Sequence, residues 1–403
     1  MMYNKGMKIG IYGGTFDPIH NGHIGIAKAV MAELELDSLF FVVAADPPHK
    51  DITGRTPAEI RLKMVELALE NEVGLTASDI EIKRGGVSYT VDTLEYFSER
   101  FPGAELFFVL GADMLSSFSK WYRPDRILSL ARLAAVQRSG QAADLEAIAA
   151  SLMRDLGGTV IVTGICGEEI SSTEIREKVR DALPVDSLVP FEVELFIDKN
   201  LLYMPEELKE VKSRLEQRID DARLEHSLLT AREAVMLAHK HGLDTVKARL
   251  CGLIHDCAKL RGSALESYMK RLGFKPSLEE RRNPYMIHAR LGAFAAEREY
   301  GIADPQILNA IRLHTLGSAD MTPFDEVIFL ADKLEPTRAY RRIAHIRELA
   351  YEDLDAAVAA VIRNNIAYNR SRKMPMHPST FETLEAIEMR NANGGSQQHR
   401  TNY

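Results

Sequence analysis

The sequence predicts two domains of different class: an α/β domain over residues 1–203 and an all-α domain over residues 204–390. Three observations carry this expectation. The chain has 403 residues, more than one domain of about 150 residues would use. Up to Tyr203, short apolar runs alternate with helix-patterned segments, as in a parallel sheet covered by helices on both faces. Beyond Tyr203 the apolar spacing becomes helical and strand candidates almost vanish.

In chain order, residues 8–12, 39–44, 105–110, 133–136 and 159–162 read as strands, because each is a short apolar run. Residues 24–34, 58–70 and 91–100 read as helices, and a helical stretch separates the last two strands. Pro205 suits the first turn of a helix and opens a charged segment over 206–221. Segments 227–241, 246–260, 289–300 and 307–313 continue the helical pattern. The boundary near Met204 has no Gly/Ser linker, so a fairly stiff helical connection is expected there. Residues 391–403 are rich in Asn, Gly, Gln and Ser and are expected to form a disordered tail.

Lys and Arg number 50 against 58 Asp and Glu, a net charge of -8, which argues against a general nucleic-acid binder. Small phosphorylated substrates remain open, because they need only a few local cations. Cys166, Cys251 and Cys257 are too few and too scattered for a disulfide framework or a thiolate zinc site. No apolar run has the length of a membrane span, and the first residues lack the apolar core of a secretory signal. A cytoplasmic protein with no membrane partner is the expectation.

The first strand runs into Gly13-Gly14-Thr15-Phe16-Asp17-Pro18, then His20-Asn21-Gly22-His23 at a helix start. Paired glycines let a backbone approach a phosphate with no Cβ in the way. A helix start adds unpaired N–H groups and the positive end of a dipole, and both histidines can donate to phosphate oxygens. This motif resembles the histidine-containing Rossmann-like nucleotidyltransferases, bacterial nicotinate-nucleotide adenylyltransferase above all. Further blocks agree in order: Pro47 to Lys50, Ser88 to Thr93, Gly111 to Asp113, Lys120-Trp121 and Ile170 to Arg176. The resemblance covers residues 7–203 and implies transfer of AMP from ATP to nicotinate mononucleotide, giving deamido-NAD and pyrophosphate. It makes His20 and His23 catalytic, as stabilisers of the ATP phosphates. It places Lys50, Ser171, Ser172, Thr173 and Arg176 on phosphates and makes Gly13, Gly14, Thr15 and Phe16 substrate-binding. Thr90 and Trp121 fall on the pyridine ring, and Asp113 on the adenosine half. Mg²⁺ is expected to arrive with ATP. Trp121 could instead anchor the core, and Arg61 and Met64 read as helix packing. The choice of nicotinate over its amide rests on the resemblance.

The second half carries Glu225-His226-Ser227, His255-Asp256-Cys257-Ala258-Lys259, Ile287-His288-Ala289, His314-Thr315 and Ala331-Asp332-Lys333, each in or beside an apolar helical pattern. A charge buried in such a face is costly unless paired or bound to metal. Imidazole with carboxylate suits Fe, Mn, Zn, Co or Ni, and the lack of thiolates disfavours a structural zinc site. The order His, His-Asp, distant Asp resembles the HD phosphohydrolase superfamily. Asp332-Lys333-Leu334-Glu335-Pro336-Thr337-Arg338 narrows the resemblance to the YqeK-type branch, over residues 204–390. That branch cleaves diadenosine tetraphosphate symmetrically to two ADP. The resemblance implies that His226, His255, Asp256 and Asp332 hold a metal, iron first among the candidates. Asp256 and Lys259 act in catalysis, and Lys259, Thr315 and Arg338 bind phosphates. His288 and His314 either hold a second metal or contact the phosphate chain.

The whole chain is therefore expected to be a bifunctional enzyme acting on ATP, nicotinate mononucleotide and a dinucleoside polyphosphate, with a homo-oligomer admissible. Two alternatives keep the adenylyltransferase and make the second half an HD nucleotidase or a non-catalytic nucleotide sensor.

Overall fold

A computed structural model describes residues 6–46, 55–138 and 145–398. The chain divides into two compact units, Met1–Glu177 with Val185–Phe196 and Lys178–Pro184 with Ile197–Tyr403. The division falls seven residues earlier than the boundary expected after Tyr203, at 196/197.

The first unit contains β1 (Lys8–Gly14), α1 (Asn21–Leu34), β2 (Ser38–Val43), α2 (Ala58–Leu69), β3 (Leu75–Ser78), α3 (Ile80–Arg84), α4 (Thr90–Arg100) and β4 (Glu105–Gly111). It continues with α5 (Ala112–Ser117), α6 (Pro124–Leu130), β5 (Arg132–Arg138), α7 (Leu145–Leu156) and β6 (Val160–Gly167). Two helices, α8 (Ser172–Arg180) and α9 (Phe191–Asn200), run across the division between the units.

The sheet is six-stranded, in the order β3-β2-β1-β4-β5-β6, and every pairing is parallel. Parallel strands buried on both faces need apolar side chains on both, and Leu106 to Leu110 of β4 are all buried. The strand order reverses between β1 and β4, where Tyr12 pairs with Val109. In an open parallel sheet this reversal leaves a crevice beyond the carboxyl ends of the two strands. β3 and α3 went unread in the sequence, because Leu75–Ser78 is four residues long and only Leu75 in it is buried.

The second unit is helical: α10 (Glu206–Glu216), α11 (Asp221–Lys240), α12 (Thr245–Ile254), α13 (Gly262–Leu272), α14 (Leu278–Arg282), α15 (Ile287–Tyr300), α16 (Pro305–Leu313), α17 (Pro323–Leu334), α18 (Ile343–Ala350), α19 (Leu354–Ser371) and α20 (Pro378–Gln398). The segment 206–221, expected as one helix, is broken. The Asp220 side chain accepts the Arg223 N–H at 2.8 Å and starts α11 afresh. The expected helix over 246–260 stops at Ile254, so His255 and Asp256 stand just past a helix end. Residues 391–398, expected in a disordered tail, continue α20 to Gln398, since extending a formed helix is easier than nucleating one.

α17 is buried along most of its length, from Phe324 to Asp332, and packs with α11 in the centre of the unit. A Cβ on Gly252 would lie 2.7 Å from Cα of Ala231, so only glycine permits this approach of α12 to α11. That approach sets the residues after α12 beside the middle of α11. Among the described residues, no helix is long and apolar enough to cross a membrane.

Candidate active sites

In the first unit, a cavity of about 330 Å³ opens at the carboxyl ends of β1, β4 and β5. Gly13, Gly14, Thr15, Phe16, His20, His23, Thr90, Asp113 and Trp121 all line it. His20 is buried, and its ring stacks on that of His23 with centroids 3.6 Å apart and an interplanar angle of 27°. The backbone N–H of His20 donates to Nδ1 of His23 at 3.3 Å. In the neutral ring this leaves the proton on Nε2, where it can be donated onward.

The segment 171–176 braces the glycine loop. Ser172 Oγ donates to the Pro18 carbonyl at 2.9 Å, and Arg176 donates from Nη1 to the Asp17 carbonyl at 2.7 Å. Arg176 Nη2 donates to Thr173 Oγ1 at 3.2 Å, and Ser171 Oγ accepts the Glu174 N–H at 3.1 Å, capping α8. Lys50 lies outside the described residues. Trp121 is half-buried. It packs on Phe108 at 6.0 Å and Phe118 at 5.2 Å, as an anchor would, and it also lines the cavity.

Arg61 does more than pack. It is 1 % exposed and donates to three backbone carbonyls: Thr15 at 2.6 Å, Ala44 at 2.8 Å and Thr56 at 2.9 Å. The ends of β1 and β2 are thus held by one guanidinium fork. An arginine among Ile60, Leu62, Met64 and Val65 was the available sequence signal. Tyr89 and Tyr122, whose rings lie 4.6 Å apart, also line the cavity and were not singled out.

In the second unit, the expected metal-ligating residues converge from separate helices. His226 comes from α11, His255 and Asp256 follow α12, His288 lies in the first turn of α15, His314 closes α16, and Asp332 lies near the end of α17. All are buried. Two sets of donor atoms each fit one ion: His226, His255 and Asp332, and His255, Asp256 and His314. His226 Nε2 lies 3.0 Å from Asp332 Oδ1, and His255 Nε2 lies 3.5 Å from Asp256 Oδ2 and 3.7 Å from Asp332 Oδ1. The other Asp256 oxygen, Oδ1, faces His314 Nε2 at 3.3 Å and His288 Nε2 at 3.5 Å. Asp256 therefore stands between the His226/His255 pair and the His288/His314 pair.

The tautomers suit ligation. Nδ1 of His255, His288 and His314 each lies 2.7 Å from the carbonyl three residues earlier, which directs every Nε2 lone pair inward. His255 Nε2 and Asp256 Oδ1 are buried and make no hydrogen bond among the described residues. Buried polar atoms without partners are rare, and both are of ligand type, so the donor set fits a divalent metal.

Burial alone would raise the carboxyls of Asp256 and Asp332. Instead both are held well below the usual range, Asp256 by His255, His314 and Lys259 and Asp332 by Lys333, His226 and His255. Burial would lower His255, yet the same carboxylates raise it to about 9. Burial and the neighbouring His314 lower His288 to about 3.

Cations surround the cluster. Arg223 Nη1 and Lys259 Nζ each lie 3.0 Å from Asp256 Oδ2, Arg338 Nη2 lies 3.0 Å from Asp332 Oδ1, and Lys333 Nζ lies 2.9 Å from Asp332 Oδ2. Thr315 Oγ1 lies 3.0 Å from His288 Nε2. Arg223, Lys333 and Glu335 join the expected residues here. Arg223 carried no separate signal, and the other two stood inside the quoted 332–338 block.

A doubly wound domain with a stacked histidine pair, together with a helical domain bearing this His/Asp cluster, defines a two-domain protein of nucleotidyltransferase and HD class. A cytidylyltransferase-like family matches residues 11–178, and the HD domain family matches residues 223–337. The "probable nicotinate-nucleotide adenylyltransferase/Ap4A hydrolase" of Mycoplasma pneumoniae is 30% identical over 365 residues, covering 88% of this chain and 97% of that one; this chain belongs to its family. The nicotinate-nucleotide adenylyltransferase of Bacillus subtilis is 37% identical over 196 residues, 49% of this chain and 98% of that protein. The crystal structure of a predicted HD superfamily hydrolase involved in NAD metabolism, from Clostridium acetobutylicum, is 32% identical with a TM-score of 0.43, covering 45% of this chain and 97% of that one.

Proposed function

We propose that the chain is a bifunctional enzyme. Its first domain transfers AMP from ATP to nicotinate mononucleotide, and its second hydrolyses diadenosine tetraphosphate symmetrically to two ADP. The observation that carries this reading is that a chain bearing both sites matches 97% of the length of the Mycoplasma pneumoniae relative, whose name states both activities.

In the first reaction a phosphate oxygen of nicotinate mononucleotide bonds to the α-phosphorus of ATP. The bond from that phosphorus to the bridging oxygen breaks, and pyrophosphate leaves with the electron pair. The chain then needs no nucleophile of its own, only positioning and charge stabilisation. His20 and His23 donate to the phosphates, and the loop over Gly13 and Gly14 admits them to the backbone. Arg176 and Ser172 hold that loop in place. Trp121 and Thr90 take the pyridine ring and Asp113 the adenosine, and Mg²⁺ accompanies ATP.

In the second reaction a water oxygen bonds to one inner phosphorus, the central P–O–P bond breaks, and the leaving ADP takes the electron pair. His226, His255, Asp256 and Asp332 would hold the divalent ion, with iron our first choice. His288 and His314, which both face Asp256 Oδ1, would either hold a second ion or contact the phosphate chain. A divalent ion held there would lower the pKa of water at the site and draw charge from the phosphoryl oxygens. Lys259, Thr315 and Arg338 bind and orient the phosphate chain.

The test uses full-length protein purified anaerobically, with its metal content assayed. ATP with nicotinate mononucleotide should give deamido-NAD and pyrophosphate. Diadenosine tetraphosphate should give two ADP, abolished by Asp256→Ala. ATP plus AMP from that substrate would overturn the symmetrical assignment. No turnover under any divalent metal would overturn the hydrolase reading in favour of a nucleotidase or a sensor.

A further inference from the structure

The cations around the second site divide between its two carboxylates. Arg223 and Lys259 meet Asp256, and Arg338 meets Asp332. His255 Nε2 lies within reach of both carboxylates, 3.5 Å from one and 3.7 Å from the other, so each carboxylate of the cluster carries its own cation group. Lys333 is committed elsewhere: it is 16% exposed, donates to the His314 carbonyl at 2.6 Å and lies 4.1 Å over the Phe329 ring. The side chains of Arg223, Lys259 and Arg338 keep 25%, 31% and 38% of their exposure, so each can meet a ligand from solvent.

Arg223 is oddly placed for a stabilising residue. It lies in the first turn of α11, where the helix dipole favours an acidic side chain. It also contacts the Asp256 oxygen, Oδ2, that faces His255, an atom in position to ligate an ion. An ion drawing on that oxygen would leave guanidinium donors for an incoming anion, in a planar fork that matches phosphate.

We propose that Arg223 is a substrate-phosphate ligand. With Lys259 it grips one half of a dinucleoside polyphosphate while Arg338 grips the other, so the middle anhydride lies over the ligand cluster. The inference rests on the hydrolase reading and supplies a reason for symmetrical cleavage. When the central P–O–P bond breaks and a water oxygen takes its place, one ADP remains at each grip and the water protons pass to solvent.

The experiment compares Arg223→Ala and Arg223→Lys in full-length protein that also carries His23→Ala and Arg176→Ala, which remove a phosphate donor of the first domain and the brace of its glycine loop. Metal content, steady-state kinetics with diadenosine tetraphosphate, and calorimetric binding of inorganic tripolyphosphate are measured. Arg223→Ala should keep its metal, raise KM about tenfold with kcat within about twofold, and weaken tripolyphosphate binding about tenfold. Arg223→Lys should recover part of both losses. Lost metal, or lost kcat at unchanged KM and tripolyphosphate affinity, would make Arg223 a support for Asp256 and overturn the proposal. If the parent protein yields no ADP yet Arg223→Ala weakens tripolyphosphate binding, the hydrolase reading fails and the grip stands. If the parent cleaves symmetrically and the variant binds tripolyphosphate normally, the grip fails and the hydrolase reading stands.

Discussion

His226 and Glu335, 109 residues apart in the chain, meet with Nδ1 3.3 Å from Oε1. Thr337 fixes the carboxylate from both sides, donating its N–H to Oε2 and its hydroxyl to Oε1, each at 2.7 Å. Burial would raise the Glu335 carboxyl, but His226 and Thr337 outweigh it and hold it below the usual range. A carboxylate behind a ligating imidazole sets its ring and tautomer. Glu335→Ala should therefore weaken metal binding about 10- to 100-fold, and Glu335→Gln should lose less. Metal retained against a graded chelator measures this, with adenylyl transfer as the unaffected control. Unchanged retention in the alanine variant would sink the assigned role.

The two glycines after β1 should respond differently to alanine. A Cβ on Gly14 would lie 2.7 Å from the Phe16 ring, whereas one on Gly13 would meet nothing nearer than Phe108 at 3.6 Å. Gly14→Ala should disturb the loop itself and lower thermal stability. Gly13→Ala should leave melting unchanged, so any rise in its KM for ATP reports a phosphate approaching the backbone. Equal melting shifts in both variants would contradict this.

Arg61→Ala strands three loop carbonyls, those of Thr15, Ala44 and Thr56. Stability of the first domain should fall by about 3 kcal/mol, and KM for ATP should rise because Thr15 lines the cavity. Arg61→Lys should rescue little, since an ammonium cannot reproduce the planar fork. Thermal melts and adenylyl-transfer kinetics decide the matter, and full rescue by lysine would refute the clamp.

Burial and the nearby Asp355 raise Glu326 from 4.5 to about 8, against the opposing pull of Arg390. A carboxyl raised on folding binds a proton that the unfolded chain has already lost. Its contribution is complete below 4.5 and disappears as pH rises through 8. Each pH unit in that window removes up to about 1.4 kcal/mol. Melting of the second domain should fall across it, and Glu326→Gln should flatten the slope. An unchanged slope in Glu326→Gln would place the titration elsewhere.

The alternating pattern before Tyr203 was enough to read a parallel sheet, and the glycine–histidine loop was legible because its residues are contiguous. The clustered histidines and aspartates were legible because they interrupt apolar helix faces, where a polar residue needs a reason. β3 was too short and too polar to stand out. The break at Asp220 hid inside a charged run that reads equally well as one helix. Arg223 was hidden for a different reason: a charge near a helix start looks solvated until the fold brings Asp256 within 3.0 Å of it.

The three imidazoles held by the carbonyl three residues behind them have a consequence for assembly. In His255, His288 and His314 the ring proton is assigned within a single turn of chain, by Gly252, Tyr285 and Ile311. Each of these rings therefore has its Nδ1 committed as a donor by its own segment of chain, whatever packs around it. Helices can then drift against one another by fractions of an ångström without any Nδ1 exchanging donor for acceptor.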